Sequence, residues 1–414
     1  CEAGAFRCAD IEGERWPQRE RCADDGSEWQ NAACRRGTVC INDGDCRPME
    51  CLPGSTGCAD DRTVGRCNDD GTAIEPTETC PDGSACSSGS CMELCRQARM
   101  RQSYDGCVFF AVDVGNAPYR VGAVDPFAIT LANPHDFEVT VRITSSGDRV
   151  VQAAGTVRVP GADGYNEANE RIGYTTVHSY VEDTQGRRRN VSGPVDGVAI
   201  PAGGMGVFLL PKNTAGVRIL GSTVTYQSEL ENRAYKVVAS APVTAYQFSP
   251  ICCSHSYSND ASILFPAGSQ GREYVGVSLP YQNRMQGRAV ESPSFLSVVA
   301  SDEGAEVEID LGNRQIEPVH GQDRGHFRIQ IEPYQVLTMI SANTSAARSD
   351  LTGVQITASS EVAVFGGHTC TEIPHDNPAC DHVETSLMPV ETWRNEYLGT
   401  HTHYRSSNRN DLRQ

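Results

Sequence analysis

Fourteen of the chain's eighteen cysteines fall within its first 107 residues, and they fall twice in the same order. Cys1, Cys8, Cys22, Cys34, Cys40 and Cys46 are answered by Cys51, Cys58, Cys67, Cys80, Cys86 and Cys91. The residues between them repeat as well: Arg21-Cys22-Ala23-Asp24-Asp25-Gly26 matches Arg66-Cys67-Asn68-Asp69-Asp70-Gly71. A unit of about 50 residues cannot bury enough apolar surface to fold by a core alone, so covalent bridges must substitute for it. Two six-cysteine modules, residues 1–50 and 51–106, therefore mark a secreted disulfide scaffold. Zinc modules show C-x2-C pairs, whereas the short spacings here are C-x5-C, C-x4-C and C-x3-C. Six cysteines allow 15 pairings, and spacing does not choose among them. Cys95 and Cys107 flank a helix-like stretch, Met92 to Ser103, and read as one further bridge at the junction. In the first module Trp16 and Trp29 supply either a small core or a ligand-stacking pair, and a small domain's need for large apolar groups favours the core.

Beyond Val108 the cysteines thin out and alternation takes over. Phe137, Val139, Val141 and Ile143 alternate with Glu138, Thr140 and Arg142, the period of a half-buried strand, and Phe327, Ile329 and Ile331 do the same. Turn residues punctuate these runs at Asn133-Pro134-His135-Asp136, Pro201-Ala202-Gly203-Gly204 and Ser301-Asp302-Glu303-Gly304. The region reads as all-β and internally duplicated. Phe127–Val141 aligns without a gap on Phe295–Ile309, and the run from Val237 through Tyr246 aligns on Ile356 through Phe365. Pro266, Glu273, Tyr274 and Gly276 recur as Pro389, Glu396, Tyr397 and Gly399. A period of about 120 residues suits β-sandwich repeats better than propeller blades. The expected organisation is a repeat over 107–273, a second over 274–396, and the start of a third over 397–414. The chain is on this reading the beginning of a longer protein.

Composition narrows the partners. The net charge is −18, and only two of the 35 basic residues, Lys212 and Lys236, are lysines. An acidic excess argues against nucleic acid and anionic membrane as partners. No stretch reaches the ~18 apolar residues of a membrane helix, and no signal segment opens the chain. An N-terminal cysteine could carry a lipid, but Cys1 stands at the repeat position of Cys51 and is expected to be bridged.

The motifs Pro242-Val243, Ala245-Tyr246-Gln247-Phe248, Ser258-Asn259-Asp260-Ala261-Ser262, Leu351-Thr352-Gly353, Val362-Ala363-Val364-Phe365-Gly366-Gly367-His368, Cys380-Asp381-His382 and Pro389-Val390-Glu391-Thr392-Trp393 occur in one order between Cys107 and His403. Together they resemble the IgGFc-binding protein N-terminal domain family, common in secreted bacterial proteins. The cysteine repeats ahead of them resemble those of large secreted myxobacterial proteins. The resemblance implies an extracellular, surface-linked protein used in binding or adhesion, and it does not make immunoglobulin the ligand.

Several residues invite sharper readings. Cys370 and Cys380 close a loop as a disulfide, or join His368, His375 and His382 in a Cys/His metal cluster; an oxidising compartment favours the bridge. Cys252 and Cys253 either form a strained vicinal bridge or find distant partners, since ordinary bridges want Cα atoms ~4.4 to 6.8 Å apart. The Asp-Asp-Gly triplets could hold Ca²⁺ but lack an EF-hand's alternating ligands and read as turns, so no cofactor is expected. Gly161 to Ala199, the largest departure between the two copies, reads as a long surface loop that the fold does not require. Its Arg187-Arg188-Arg189 run would be a positive patch for an acidic partner. No G-x-S-x-G, H-E-x-x-H, P-loop or dinucleotide motif occurs. The function expected is therefore non-enzymatic binding or adhesion at the cell surface, to a protein or glycan ligand. The alternatives are a self-associating subunit of an extracellular filament or sheath and, third, a secreted hydrolase without a recognisable motif. Intact-mass measurement with and without reductant should find all eighteen cysteines oxidised; free thiols in the first 107 residues, or stoichiometric zinc, would sink the scaffold reading.

Overall fold

A computed structural model of the chain describes residues 1–10, 17–42, 44–81, 83–117, 126–155, 157–159, 175–220, 223–251, 258–285, 288–373 and 380–399. It separates into two compact units, Cys1–Gln97 and Ala98–Gln414.

The first unit holds both cysteine modules, built alike. Strands Phe6–Ala9, Gln18–Cys22 and Trp29–Asn31 form one antiparallel sheet, and Thr38–Ile41 pairs with Asp45–Pro48 as a hairpin. Thr56–Asp60, Thr63–Cys67 and Ile74–Thr79 repeat the sheet, and Ser84–Ser87 with Ser90–Glu93 repeat the hairpin. The bridges Cys1–Cys22, Cys8–Cys40 and Cys34–Cys46 join cysteines one to three, two to five and four to six. Cys51–Cys67, Cys58–Cys86 and Cys80–Cys91 keep the same order. Cys95 and Cys107 are also disulfide-bonded.

Sulfur takes the place of a core. In the second module Val64 clusters with the buried cystine residues Cys80 and Cys86, and Cys58 and Cys91 pack on them. The first module is filled by Cys22, Val39, Cys40 and Ile41. Trp29 is only half-buried, beneath the Arg7 guanidinium at 4.4 Å, so it is not the core expected of it. Trp16 lies outside the described residues. The Asp-Asp-Gly triplets are turns: Asp25 Oδ1 accepts the Ser27 N–H and hydroxyl, and Asp70 Oδ1 accepts those of Thr72. Gly26 (φ 71°) and Gly71 (φ 75°) supply the left-handed residue these turns demand.

Helix Leu94–Arg101 spans the boundary between the two units in the chain, and the second unit contains two β-sandwiches. The first comprises β1 (Asp105–Val112), β2 (Phe127–Ala132), β3 (Val139–Ser145), β4 (Tyr180–Glu182), β5 (Arg188–Asn190), β6 (Val198–Ile200), β7 (Met205–Leu210), β9 (Ala234–Ser249) and β10 (Asp260–Leu264), while β8 (Glu229–Asn232), between β7 and β9 in the chain, joins a sheet of the second. The second comprises β11 (Gly271–Val275), β12 (Ser294–Ala300), β13 (Ala305–Val319), β14 (Gln322–Ile331), β15 (Gln335–Ile340), β16 (Gln355–Glu372) and β17 (Cys380–Ser386).

Each sandwich is organised by one long strand that belongs to both of its sheets. The first half of β9 pairs with β3 and β1, and its second half with β2 and β10. β16 repeats this with β13 and β11, then β12 and β17. The alternating apolar residues of the two layers meet in one core, for example Val298, Val307, Ile329, Leu337, Ile356 and Val364. Two details show that the sandwiches are copies. Ser240 Oγ accepts the Thr140 N–H as Ser359 Oγ accepts that of Glu306. Gly106 faces Val243, and Gly271 faces Val362, each beside a bulge.

The register corrects the alignment drawn from sequence. Leu131 and Val298 face the equivalent residues Ala245 and Val364, and Val141 and Val307 face Ala239 and Ala358. The gapless match of Phe127–Val141 on Phe295–Ile309 thus slips by one residue in β2 and by two in β3. A period-two pattern reads the same after a two-residue slip. β12 is buried at every position and offers no phase at all. The segment read as a loop over Gly161–Ala199 is also corrected: its described residues from Thr175 on contain β4, β5 and part of β6.

The copied glycines are tightly packed. A Cβ on Gly106 would lie 2.3 Å from Pro266 Cβ, and one on Gly271 2.4 Å from Pro389 Cβ. Gly106→Ala and Gly271→Ala should each lower stability by roughly 1 to 3 kcal/mol, because the rigid proline rings cannot yield without moving the closing turn. Thermal unfolding checks this, and an unchanged midpoint for both would refute the shared packing.

Candidate functional site

Three turns meet at one end of the first sandwich: Asn133–Glu138 between β2 and β3, Asp183–Arg187 between β4 and β5, and Pro201–Gly204 between β6 and β7. Asn133 binds two of them together. Its buried Nδ2 donates to Phe137 O (2.8 Å), Ile200 O (3.2 Å) and Pro201 O (2.9 Å), while Oδ1 accepts the His135 N–H at 2.9 Å. Gly204 lets the third turn touch β4, since a Cβ there would sit 2.4 Å from Glu182 O. Between the turns lies an open cleft of about 370 Å³, lined by Ala132, Thr184, Gly203, Met205 and Thr244 among others. Met205 keeps 40% of its surface exposed. The rim thus offers an apolar thioether, a hydroxyl and bare backbone, the ingredients of a recognition surface.

The arginine run lies beside this cleft but is not free charge. Arg187 Nε donates to Asp183 Oδ2 at 2.6 Å, and Arg188 pairs with Glu182 while lying 4.5 Å over the Tyr180 ring. Arg189 donates to Ala199 O at 3.2 Å. The Arg187 N–H and guanidinium hold the Asp183 carboxyl below the usual carboxylate range, and the hydrogen bond to Glu182 lifts the Arg188 guanidinium above its ordinary value. The expected positive patch is therefore corrected: Arg187 and Arg188 are paired with carboxylates across the hairpin, and Arg189 holds a backbone carbonyl.

The second place the sequence flagged is the junction between the sandwiches. Cys370 and Cys380 form a disulfide (Cα–Cα 5.3 Å) packed on Ala117. His368 is buried: its Nδ1 accepts the Cys370 N–H at 3.1 Å, leaving Nε2 to donate to Pro280 O at 3.1 Å. Both ring nitrogens are spent, and burial brings its pKa down to about 4. His382, on β17, donates its N–H to Ser258 Oγ and stacks on Phe295. Its Nε2 lies 3.6 Å from Glu384 Oε2, both side chains fully enclosed. Burial pushes the Glu384 carboxyl up, with His382 opposing and the Asp260 charge adding to the rise. Asp113, nearby, is pushed up by burial too, against Lys212.

The Cys/His metal reading is thereby corrected, because oxidised sulfur is no thiolate and His368 has no free nitrogen. His375, Cys252 and Cys253 lie outside the described residues. Among the described residues no group of three or more His, Cys, Asp or Glu could hold a metal, and no helix is long and apolar enough to cross a membrane. Sequence reading missed Met205, Thr184 and Ala132. The turn signals marked their neighbours, but only long-range pairing shows that the three turns share an end.

Comparison with known proteins bears on the second sandwich. The family model described as IgGFc binding protein matches residues 260–413. The human IgGFc-binding protein is 29% identical over 140 residues, which is 34% of this chain and 2% of that protein. The chain thus spans a small fraction of that relative's length. No solved structure matches.

The buried histidine fixes a pH response. Between pH 6.5 and about 4 an unfolded chain protonates His368 while the folded one does not, so the unfolded state binds more protons there. The contribution of His368 to stability is present above pH 6.5 and lost as pH falls through about 4, amounting to roughly 3 kcal/mol. Histidine-selective NMR should show one imidazole still neutral at pH 5, absent from His368→Gln; titration of that ring near 6.5 would refute the assignment.

Proposed function

We propose that the protein is an extracellular, non-enzymatic binding protein that engages a protein or glycan ligand through the cleft at the loop end of its first sandwich. The observation that carries this reading is the convergence of three turns, two of them tied by Asn133, on an open cleft with an exposed Met205. Sandwiches commonly place recognition in loops clustered at one end, where sequence varies without disturbing the core. The disulfide framework supports an oxidising location and resistance to proteases and shear. The human relative's name says that it binds the Fc of IgG, which supports a binding role and leaves this chain's ligand open. Surface attachment and adhesion extend the same reading.

A structural subunit of a filament or sheath is the alternative. It is favoured by one observation: β8 lies between β7 and β9 in the chain yet pairs with β15 of the other sandwich, so this fold accepts a strand from outside itself.

The test uses the full chain on a glycan array and against immobilised human IgG Fc, with Met205→Arg and Thr184→Arg as cleft variants. For whichever probe the intact protein retains, each variant should weaken binding by about tenfold or more with an unchanged melting temperature, as expected for exposed contact residues. Retained binding in both variants would place the site elsewhere.

A further inference from the structure

Across the first sandwich a row of neighbours runs Ala245, Leu131, Gly206, Val181. Across the second the equivalent row runs Val364, Val298, Leu337, Leu230. The rows begin on equivalent residues of β9 and β16, so β4 and β8 occupy the same slot, both antiparallel to the strand they join. Their middle residues do the same work: Val181 is 2% exposed, and Leu230 packs against the second core. The occupants differ in origin. β8 comes to the second sandwich from the first, whereas β4 belongs to the first sandwich's own insertion.

We infer that the β4–β5 hairpin is a cap: it fills the strand slot beside β7 and thereby closes that edge to the β8 segment of a second copy of this chain. Without β4, the edge along Met205–Val207 would present unpaired N–H and C=O groups, a template for an incoming strand, while Leu209 beyond it stays paired with Ser179 Oγ and the Ala154 N–H. The register names the strand that fits, because Glu229–Asn232 already sits in the equivalent slot beside β15. The cap is built to end the sheet. β5 is three residues long, all exposed, and carries two arginines, features that discourage further pairing. The pairs Arg187–Asp183 and Arg188–Glu182 hold the hairpin shut. The second sandwich has no such device: among its described residues the link from β15 to β16 contains only the one-turn helix Ala346–Ser349. It is completed by β8, anchored where Ser228 Oγ accepts the Ile340 N–H (2.9 Å) and Glu229 accepts the Gly216 N–H (2.9 Å). The cap thus limits self-association of a fold whose sheets receive strands from outside.

The test uses the full chain carrying Val181→Asp, which sets a carboxylate on the inner face and undocks the hairpin. The probe is a fluorescent synthetic peptide copying residues 226–233, with a Leu230→Asp peptide as control. The variant should bind the copy about tenfold or more tighter than the intact chain does. The peptide should restore hydrogen-exchange protection to Met205–Val207, and the variant alone should self-associate in sedimentation velocity. An exposed β7 that captures no peptide, or unchanged protection of Met205–Val207 in the variant, overturns the proposal. Should Val181→Asp unfold the first sandwich, Leu230→Asp in the full chain vacates the slot beside β15. That variant should bind the same peptide at Gln335–Ile340, and failure to do so overturns the equivalence on which the cap rests.

Discussion

A sheet edge exposes a row of backbone groups that must be paired, covered or guarded, and in the β part of this protein that requirement ties one sandwich to the next. The inner sheet of the second sandwich ends in β15 on one side and β17 on the other. β15 is closed by a ladder with β8. β17 is closed differently: its N–H groups at His382 and Glu384 donate to the side chains of Ser258 and Asp260, and Ser386 Oγ donates to Ile263 O. Both closures come from the first sandwich. Lys236–Asp302 at 2.6 Å and the Tyr334 hydroxyl on Thr144 at 2.8 Å add polar contacts elsewhere along the junction. The second sandwich is accordingly finished by its neighbour, and the pair, more than either half, is the natural unit of stability.

The junction also explains why ionisable groups are buried there. Edge N–H groups need acceptors, and a short side chain such as Asp260 reaches them where a ladder would require a whole strand. The cost is a second carboxylate, Glu384, enclosed beside His382 and raised by its loss of water. At the loop end, in contrast, packing does not constrain the side chains.

Legibility in the sequence followed the kind of constraint involved. The modules were readable because two sets of six cysteines repeat, yet their one–three, two–five, four–six pairing had to come from three-dimensional proximity. Strands such as β3 and β14 were readable from alternation, while the register between copies was not, because alternation survives a two-residue slip and the fully buried β12 has none. The Arg187–Arg189 run looked like a patch because sequence counts charges and does not show that Glu182 and Asp183 lie across the hairpin. His368 and His382 looked like ligands for the same reason. Spacing carried the suggestion, whereas the Cys370 N–H and Pro280 carbonyl that occupy His368 arrive from the fold.

The sequence alone determined the class of the molecule: an oxidised, cysteine-stapled front, an all-β remainder and a duplication. These follow from local periodicity and composition, which act over a few residues. Tertiary structure decided which strand fills which edge, that β8 serves the neighbouring sandwich, and that three distant turns share one cleft. Such choices depend on pairings between residues far apart in the chain, and no local pattern encodes them because many strands of the same alternation could satisfy the same edge.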